Sequence, residues 1–429
     1  MKRNKVALLL AVAMLASLCA VSAMAGEETK PPLLIAPAPS GLSPEVESVV
    51  QETIITPDAV GTVSFGNVGS RMRQNNLTIL TLQQSVDSLE DIDYEEMKED
   101  VRENLNLMAA QSWGMHQMSA YEPIGSMMAL SSVEQQYSSL KQTFEDLKDG
   151  SLQEENAGLI RQLQNGQDQL VLAGETTFIA LKGLEVKEAG LERQLGALNR
   201  TVEEMTLRHE MGQISELQLS QIKTGQTSLA SGLETLRMNI ATYKTQLELL
   251  LGAELTGEIV LGQLPDVTGE QLDQMDLEKD LASAMEQSYE LYAAAETLAD
   301  AKETYEDAAD KYNENEKKAE FRNAKRVWQS AQYTYNDTVQ NYELRFRTLY
   351  AQVGDYRQAL EAAKTSLAFQ QQNLAAAELK CQQGTISQNA LLDAKDSVRE
   401  AEETVQTAAN NLFSAYNSYR WAVDYGILN

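Results

Sequence analysis

The chain is short of the residues that usually carry chemistry. Its 429 residues include two cysteines and two histidines. One cysteine, Cys19, falls in an N-terminal targeting segment, so Cys381 is left without an intrachain disulfide partner. There is no HExxH, no clustered Cys/His spacing and no glycine-rich phosphate loop following a strand. Enzymatic activity is therefore not expected, and no cofactor or metal is implied. Basic residues are also scarce: 35 Lys and Arg against 63 Asp and Glu give a formal charge of −28. That balance disfavours nucleic acid and anionic membrane surfaces as partners. Seven of the eight prolines lie at or before residue 123, and only Pro265 follows. Beyond the N-terminus, no apolar run reaches the roughly 18–20 residues of a membrane-spanning helix. What is abundant is Ala, Gln, Glu, Leu and Ser, the composition of long helices rather than of two or three ordinary domains.

The N-terminus reads as a signal peptide over residues 1–25. Lys2, Arg3 and Lys5 precede an apolar run from Val6 to about Val21, and Ala23-Met24-Ala25 supplies a cleavage site before Gly26. Leu18 stands before Cys19 where a lipoprotein site wants a small residue, so plain cleavage and export are expected. The proline-containing stretch 26–60, with "KPPLLIAPAPSGLSP", reads as an extended extracytoplasmic tether. Residues 61–252 and 277–429 read as two helical repeats. The connecting linker, 253–276, contains the β-like "EIVLGQL". Turns are expected at "KDGSLQEEN" (148–156) and "KYNENEKK" (311–318). The stretch "SWGMHQMSAYEPIGSMM" interrupts the first repeat.

The apolar spacing inside the repeats is regular. Leu191, Leu195, Leu198, Val202, Met205 and His209 are separated by alternating fours and threes. So are Leu229, Leu233, Leu236, Ile240, Tyr243, Leu247 and Leu250. Val353 to Cys381 and Val398 to Ala422 repeat the pattern. A sustained 3.5-residue period is that of helices packed as coiled coils. A shift of 172 residues lays "GQIS" (212–215) on "GTIS" (384–387), His209 on Cys381, Val202 on Leu374 and Leu233 on Val405. The heptads stay in register through helix, break and helix, so the chain is internally duplicated. More loosely, "VGSRMRQNNLTI" resembles "LASAMEQSYELY" near the start of each half. Gly212 and Gly384 supply the backbone freedom of a reversal. Ile214 and Ile386 can fold back on the seam, and Ser215 and Ser387 are preferred N-caps for the next helix. Each stretch is thus the tip of a long antiparallel helical hairpin, and the fold class is all-α.

Two long hairpins turning at Gly-x-x-Ser and closing at Gly252 and Gly426 resemble the TolC-like outer-membrane efflux proteins. The resemblance rests on "HEMGQISELQL" and "CQQGTISQNALLDA". It covers about 180–252 and 277–426, with 62–80 more loosely matched. It implies a homotrimeric hollow α-barrel serving as a passive exit duct for efflux or type I secretion. The tips would dock a periplasmic-type adaptor and, through it, an inner-membrane ABC or other pump. The implied docking residues are Gly212, Ile214, Ser215, Glu216, Gly384, Ile386, Ser387 and Asn389, with Asp393 at the pore or gate. The alternative is an extracytoplasmic coiled-coil scaffold that keeps the fold and conducts nothing.

The sequence departs from the family pattern in places. Four barrel strands of roughly 9–11 alternating residues are expected of each family protomer, yet the corresponding regions are polar and helical. Trp328, Tyr335 and Tyr342 recur every seven residues, the spacing of a helix. The family's Asp six residues after the tip glycine is Gln218 in one half and Ala390 in the other. Cys381 and Ile386 stand where some members carry the Tyr and Arg of a latch. His209 and Cys381 are expected to be buried on the seam rather than to bind metal.

Overall fold

The computed structural model describes residues 58–118 and 123–428, with side chains except those of residue 115 and residues 117–130. The signal peptide and nearly all of the tether lie outside the described residues. The described chain runs β1 (Thr62–Val63), α1 (Phe65–Asn75), α2 (Leu77–Glu90), α3 (Tyr94–Met118), α4 (Pro123–Asp149), α5 (Ser151–Glu210) and α6 (Glu216–Leu250). It continues through β2 (Val260–Leu261), α7 (Gly269–Asp273), α8 (Leu277–Gln287), α9 (Tyr289–Tyr312), α10 (Ala319–Gln382) and α11 (Gln388–Tyr425). At 60 and 64 residues, α5 and α10 extend for about 90 and 95 Å. Neither contains a proline to interrupt its backbone hydrogen bonds.

Helices α5, α6, α10 and α11 form one layer. α6 packs on α5, α5 on α11 and α11 on α10, so α6 and α10 are the outer edges. Both tips lie at one end. Towards the tips the heptad residues Leu195, Leu198, Leu367 and Leu374 are only half-buried, because a two-helix seam leaves both flanks open. Burial becomes more extensive further along, where shorter helices cover the layer. There α1 and α2 lie on α5 around Met72, Phe178, Leu181, Ile240 and Leu247. α8 lies on α10 and α11 around Ala284, Tyr342, Phe346, Leu412 and Tyr419. Met72 packs so closely on α5 that a Cβ at Gly174 would come within 2.1 Å of its sulfur.

The two halves are built alike at this waist. α1 and α8 each span 11 residues. Asn76 caps α2 by accepting from Thr78 and Ile79, and Ser288 caps α9 by accepting from Leu291. These breaks are 212 residues apart, whereas the sequence match between "VGSRMRQNNLTI" and "LASAMEQSYELY" implies 213. The backbone break, set by which residue can cap, fixes the register.

Further from the tips each half carries a second, shorter hairpin, α3–α4 and α9–α10. The expected turn at 148–156 narrows to one residue, Gly150, with φ 91° between α4 and α5. At 311–318, Asn313 takes the left-handed conformation and closes α9. Among the described residues the only strands are β1 and β2, which pair in parallel, Thr62 with Val260 and Val63 with Leu261. No barrel strands occur among the described residues, and helices stand in the regions where the family's strands are expected.

One polar contact at the waist sets a pH prediction. Glu175 on α5 accepts from Trp421 Nε1 at 2.7 Å and Asn417 Nδ2 at 2.9 Å, both on α11. Burial raises its pKa, outweighing these two donors and the nearby Arg73. The folded state therefore holds this proton more tightly than the unfolded chain, and stability falls as pH rises through the window above the ordinary carboxylate value. Glu175→Gln keeps an oxygen for both donors and removes the buried charge. It should leave stability at neutral pH unchanged or raised by about 1 kcal/mol and flatten that slope in thermal unfolding curves. A clear loss of stability at pH 7 would show that the charge itself is needed.

Candidate functional site

The paired tips are the candidate site. Both turns have the same backbone. Gly212 has φ 73° and Gly384 φ 70°. Gly212 N–H donates to His209 O and Gln213 N–H to Arg208 O, each at 2.8 Å; Gly384 donates to Cys381 O and Thr385 to Lys380 O, each at 2.9 Å. This double bond pattern is the Schellman motif, which satisfies the last carbonyls of the outgoing helix. Ser215 then caps α6, accepting from Gln218 N–H, while the Gln218 side chain accepts from Ser215 N–H in a full capping box. Ser387 accepts from Ala390 N–H, and Ala390 has no side chain to return the bond. Gln218, standing in place of the family's Asp, thus has a local role.

Of the predicted residues, Gly212, Ser215, Glu216, Gly384, Ser387 and Asn389 are exposed, and Ile214 and Ile386 are half-buried over the turns. Glu216 lies 3.0 Å from His209 Nε2, whose Nδ1 is 3.2 Å from Ile214 O. His209 and Cys381 are half-buried rather than buried, contrary to expectation. Each has a polar contact across its own turn, Cys381 Sγ lying 3.6 Å from Gln388 Oε1. The turn is short enough that the seam opens before it reaches them. Among the described residues no group of His, Cys, Asp and Glu is placed to hold a metal.

The structure also joins the two hairpins through charges that sequence reading did not pair. Arg193 on α5 makes a two-pronged contact with Glu403 on α11, Nε to Oε1 at 2.9 Å and Nη2 to Oε2 at 3.0 Å. Seven residues nearer the tip, Arg200 bonds Asp396 and lies 3.5 Å from Asp393. Nearer still, Asn389 Nδ2 lies 3.4 Å from Glu204. The antiparallel helices thus carry a ladder of ties, spaced by seven residues along α11 (Glu403, Asp396, Asn389) and by seven and then four along α5 (Arg193, Arg200, Glu204). The bonds to Glu403 and Asp396 push the pKa of Arg193 and Arg200 up. Asp393, singled out as a gate residue, is 74 % exposed and belongs to this ladder. The seven-residue spacing was visible in each helix, but nothing in the sequence shows that α5 and α11 are neighbours.

The outer edges carry exposed apolar side chains: Leu217, Met238 and Leu249 on α6, and Leu344, Phe369 and Leu379 on α10. This is the fold of TolC-family outer-membrane channels. The chain matches the structure of the outer-membrane channel OprN with a TM-score of 0.50 at 13 % identity, over 84 % of this chain and 90 % of that one. It matches a membrane protein from Pseudomonas aeruginosa with a TM-score of 0.51 at 12 % identity, over the same shares of the two chains. No protein-family model and no curated protein matches the chain. The likeness is therefore one of fold.

Proposed function

We propose that the protein is the exit-duct component of an efflux or type I secretion assembly in the cell envelope, a passive conduit without chemistry of its own. The observation that carries this reading is the pair of matching, exposed tips side by side at one end of an open four-helix layer. Such a layer has two unsatisfied edges, α6 and α10, each with apolar residues in solvent. Joining the α6 edge of one copy to the α10 edge of the next leaves no free edge once the ring closes. Three copies give the homotrimeric α-barrel of the proposal, with six tips at its mouth. An adaptor with an inner-membrane ABC or other pump is the proposed partner there. Gly212, Ile214, Ser215 and Glu216 would meet it from one hairpin, and Gly384, Ile386, Ser387 and Asn389 from the other. Asp393 contributes through Arg200, since widening the mouth has to part the α5–α11 seam.

Mass determination with negative-stain imaging tests the ring. A hollow trimer is expected; a monomer or a solid two-copy coiled coil would favour the scaffold alternative. Docking is tested separately. A Cβ added at Gly212 or Gly384 would meet no atom within 4 Å, so arginine there disturbs the surface more than the fold. Gly212→Arg with Gly384→Arg should cost about 1–2 kcal/mol per site from positive φ and leave helicity intact by circular dichroism. Capture of an adaptor encoded beside this gene should fall about tenfold or more, as for a disrupted interface centre. Unchanged capture would remove the tips from the interface.

A further inference from the structure

The α5–α11 seam has a definite register. Arg193 and Glu403 each stand 19 residues from their tip glycine, Arg200 and Asp396 each 12, and Glu175 and Trp421 each 37. Residues equally far from Gly212 and Gly384 therefore lie side by side. The 172-residue duplication relates α5 to α10 and α6 to α11, so it projects this seam onto the two outer edges. Asn389, Asp396, Glu403 and Asn410 correspond to Leu217, Thr224, Ser231 and Met238 on α6, and Arg193 and Arg200 to Thr365 and Gln372 on α10. All six counterparts are exposed. Asn410, on the stripe between Glu403 and Asn417, is 5 % exposed, whereas Met238 is 71 % exposed. The stripe that is covered on α11 stands open on α6.

By the same count the exposed side chains of the two edges complement each other. Leu217 on α6 and Leu379 on α10 each stand five residues from their glycine. Glu234 and Arg237 on α6 stand at 22 and 25, and Lys364 and Glu361 on α10 at 20 and 23. At 1.5 Å per residue each acid lies within about 3 Å of a base along the axis. Each couple is already paired on its own helix, at 2.8 and 2.9 Å, so joining the edges turns two pairs into a quartet. Phe369, 58 % exposed, stands at 15, and lies four residues from Thr365 on the same face. Opposite it, also at 15, is Thr227, on a groove of about 550 Å³ between α5 and α6. Gly196, Ala230 and Ser231 line that groove with side chains small enough to leave room for a ring.

We propose that Phe369 of one copy seats in the α5–α6 groove of the next, anchoring the between-copy seam in the register of the α5–α11 seam. This rests on the ring proposed above and names the side chain that holds it. The two seams differ in chemistry. The charged rungs Arg193–Glu403 and Arg200–Asp396 within a copy correspond to Thr365–Ser231 and Gln372–Thr224 between copies. The between-copy seam carries no charge at those rungs. It takes its energy from burying Phe369, Leu217 and Met238, all of them open to water in the single chain. The Glu234–Arg237 and Lys364–Glu361 couples then fix its register, since a shift of three residues brings like charges together.

The test uses the chain from Gly26 with Cys381→Ser, which leaves it without cysteine. Thr227→Cys with Phe369→Cys should then form disulfides between copies under mild oxidation, seen as a ladder ending at the trimer in denaturing gels and removed by reductant. Lys244→Cys with Phe369→Cys is offset by 17 residues, about 26 Å, and should form none. Phe369→Ala in the otherwise unaltered chain should raise the concentration for half-assembly about tenfold or more, from the lost apolar burial, with unchanged circular dichroism. A hollow trimer whose matched cysteines stay reduced, or whose offset cysteines link as readily, overturns the proposal and leaves the duct reading intact. So does a trimer whose assembly is indifferent to Phe369→Ala. A chain that stays monomeric overturns the duct reading and this proposal with it.

Discussion

Replacing Glu248 by alanine is expected to cost about 3–5 kcal/mol of stability, close to the largest effect a single side chain produces. Glu248 is in the last turn of α6 and is 2 % exposed. Its two oxygens accept four hydrogen bonds from the segment that follows the helix: Thr256 N–H at 2.7 Å, Thr256 Oγ1–H at 2.8 Å, Gly257 N–H at 2.7 Å and Ile259 N–H at 3.2 Å. Burial alone would raise this carboxyl's pKa, yet the bonds from Gly257, Thr256 and Ile259 hold it below the ordinary value. Alanine removes the acceptor for all four donors at once. Each buried donor left unsatisfied costs about 1–3 kcal/mol, less where water can enter. The loss also has a place: residues 256–259 lead directly into β2, whose pairing with β1 ties the linker to the start of the first repeat. Urea unfolding should show the lower midpoint, and hydrogen exchange should show Thr256–Leu261 opening first. The depressed pKa fixes the sign with pH. The stability from Glu248 is present above the unfolded-state pKa and is lost as pH falls through the folded one. The wild type and Glu248→Ala should therefore converge in strong acid. A variant that differs by less than about 1 kcal/mol at pH 7 would mean that water replaces the carboxylate without penalty.

Glu248 also illustrates which parts of the molecule could be read beforehand. The seams and the tips were legible because they depend on local rules: heptad spacing along one helix, glycine at a left-handed position, serine at an N-cap. Glu248, Arg193 and Arg200 were not, since in sequence each is one more charge on a helix rich in charge. Their meaning comes from partners that the fold supplies, a linker for Glu248 and a helix some two hundred residues away for the two arginines. His209 and Cys381 were placed in the core because the heptad passes through them. The heptad describes which way a residue faces, and burial needs a neighbour on that side as well. At the tips the helices end before such a neighbour arrives. The register of the short helices was offset by one residue for a related reason. Similar letters aligned at 213, but the backbone breaks where Asn76 and Ser288 can cap, at 212.

The four glycines with positive φ that end the long helices separate two effects usually mixed together. Gly212, Gly252, Gly384 and Gly426 have φ of 73°, 63°, 70° and 68°, so alanine meets nearly the same backbone strain in each, about 1–2 kcal/mol. Their surroundings differ. At the tips a Cβ on Gly212 or Gly384 meets nothing within 4 Å. At the waist, a Cβ on Gly426 would lie 2.3 Å from Ser288 N and 2.4 Å from Ser288 Cα. One on Gly252 would lie 2.4 Å from Asn75 O. These obstacles are backbone atoms at the α8–α9 and α1–α2 breaks, which cannot swing aside as a side chain does. Gly426 O also lies 3.1 Å from the Tyr342 hydroxyl, which is 2.9 Å from Ala284 O in the fully buried core. Gly426→Ala should therefore add an overpacking cost of about 1–3 kcal/mol to the strain, for a total of about 2–5 kcal/mol, and Gly252→Ala should behave alike. Gly212→Ala and Gly384→Ala should cost only the strain. Measured side by side in urea, the four variants should fall into two pairs, one from each half in each pair. If Gly426→Ala and Gly384→Ala differ by less than about 0.5 kcal/mol, the helix ends at the waist are not held by close approach. A clear separation would show that the duplicated chain uses its two kinds of glycine differently: one kind locks each long hairpin to its own short helices, and the other leaves the tips free for a partner.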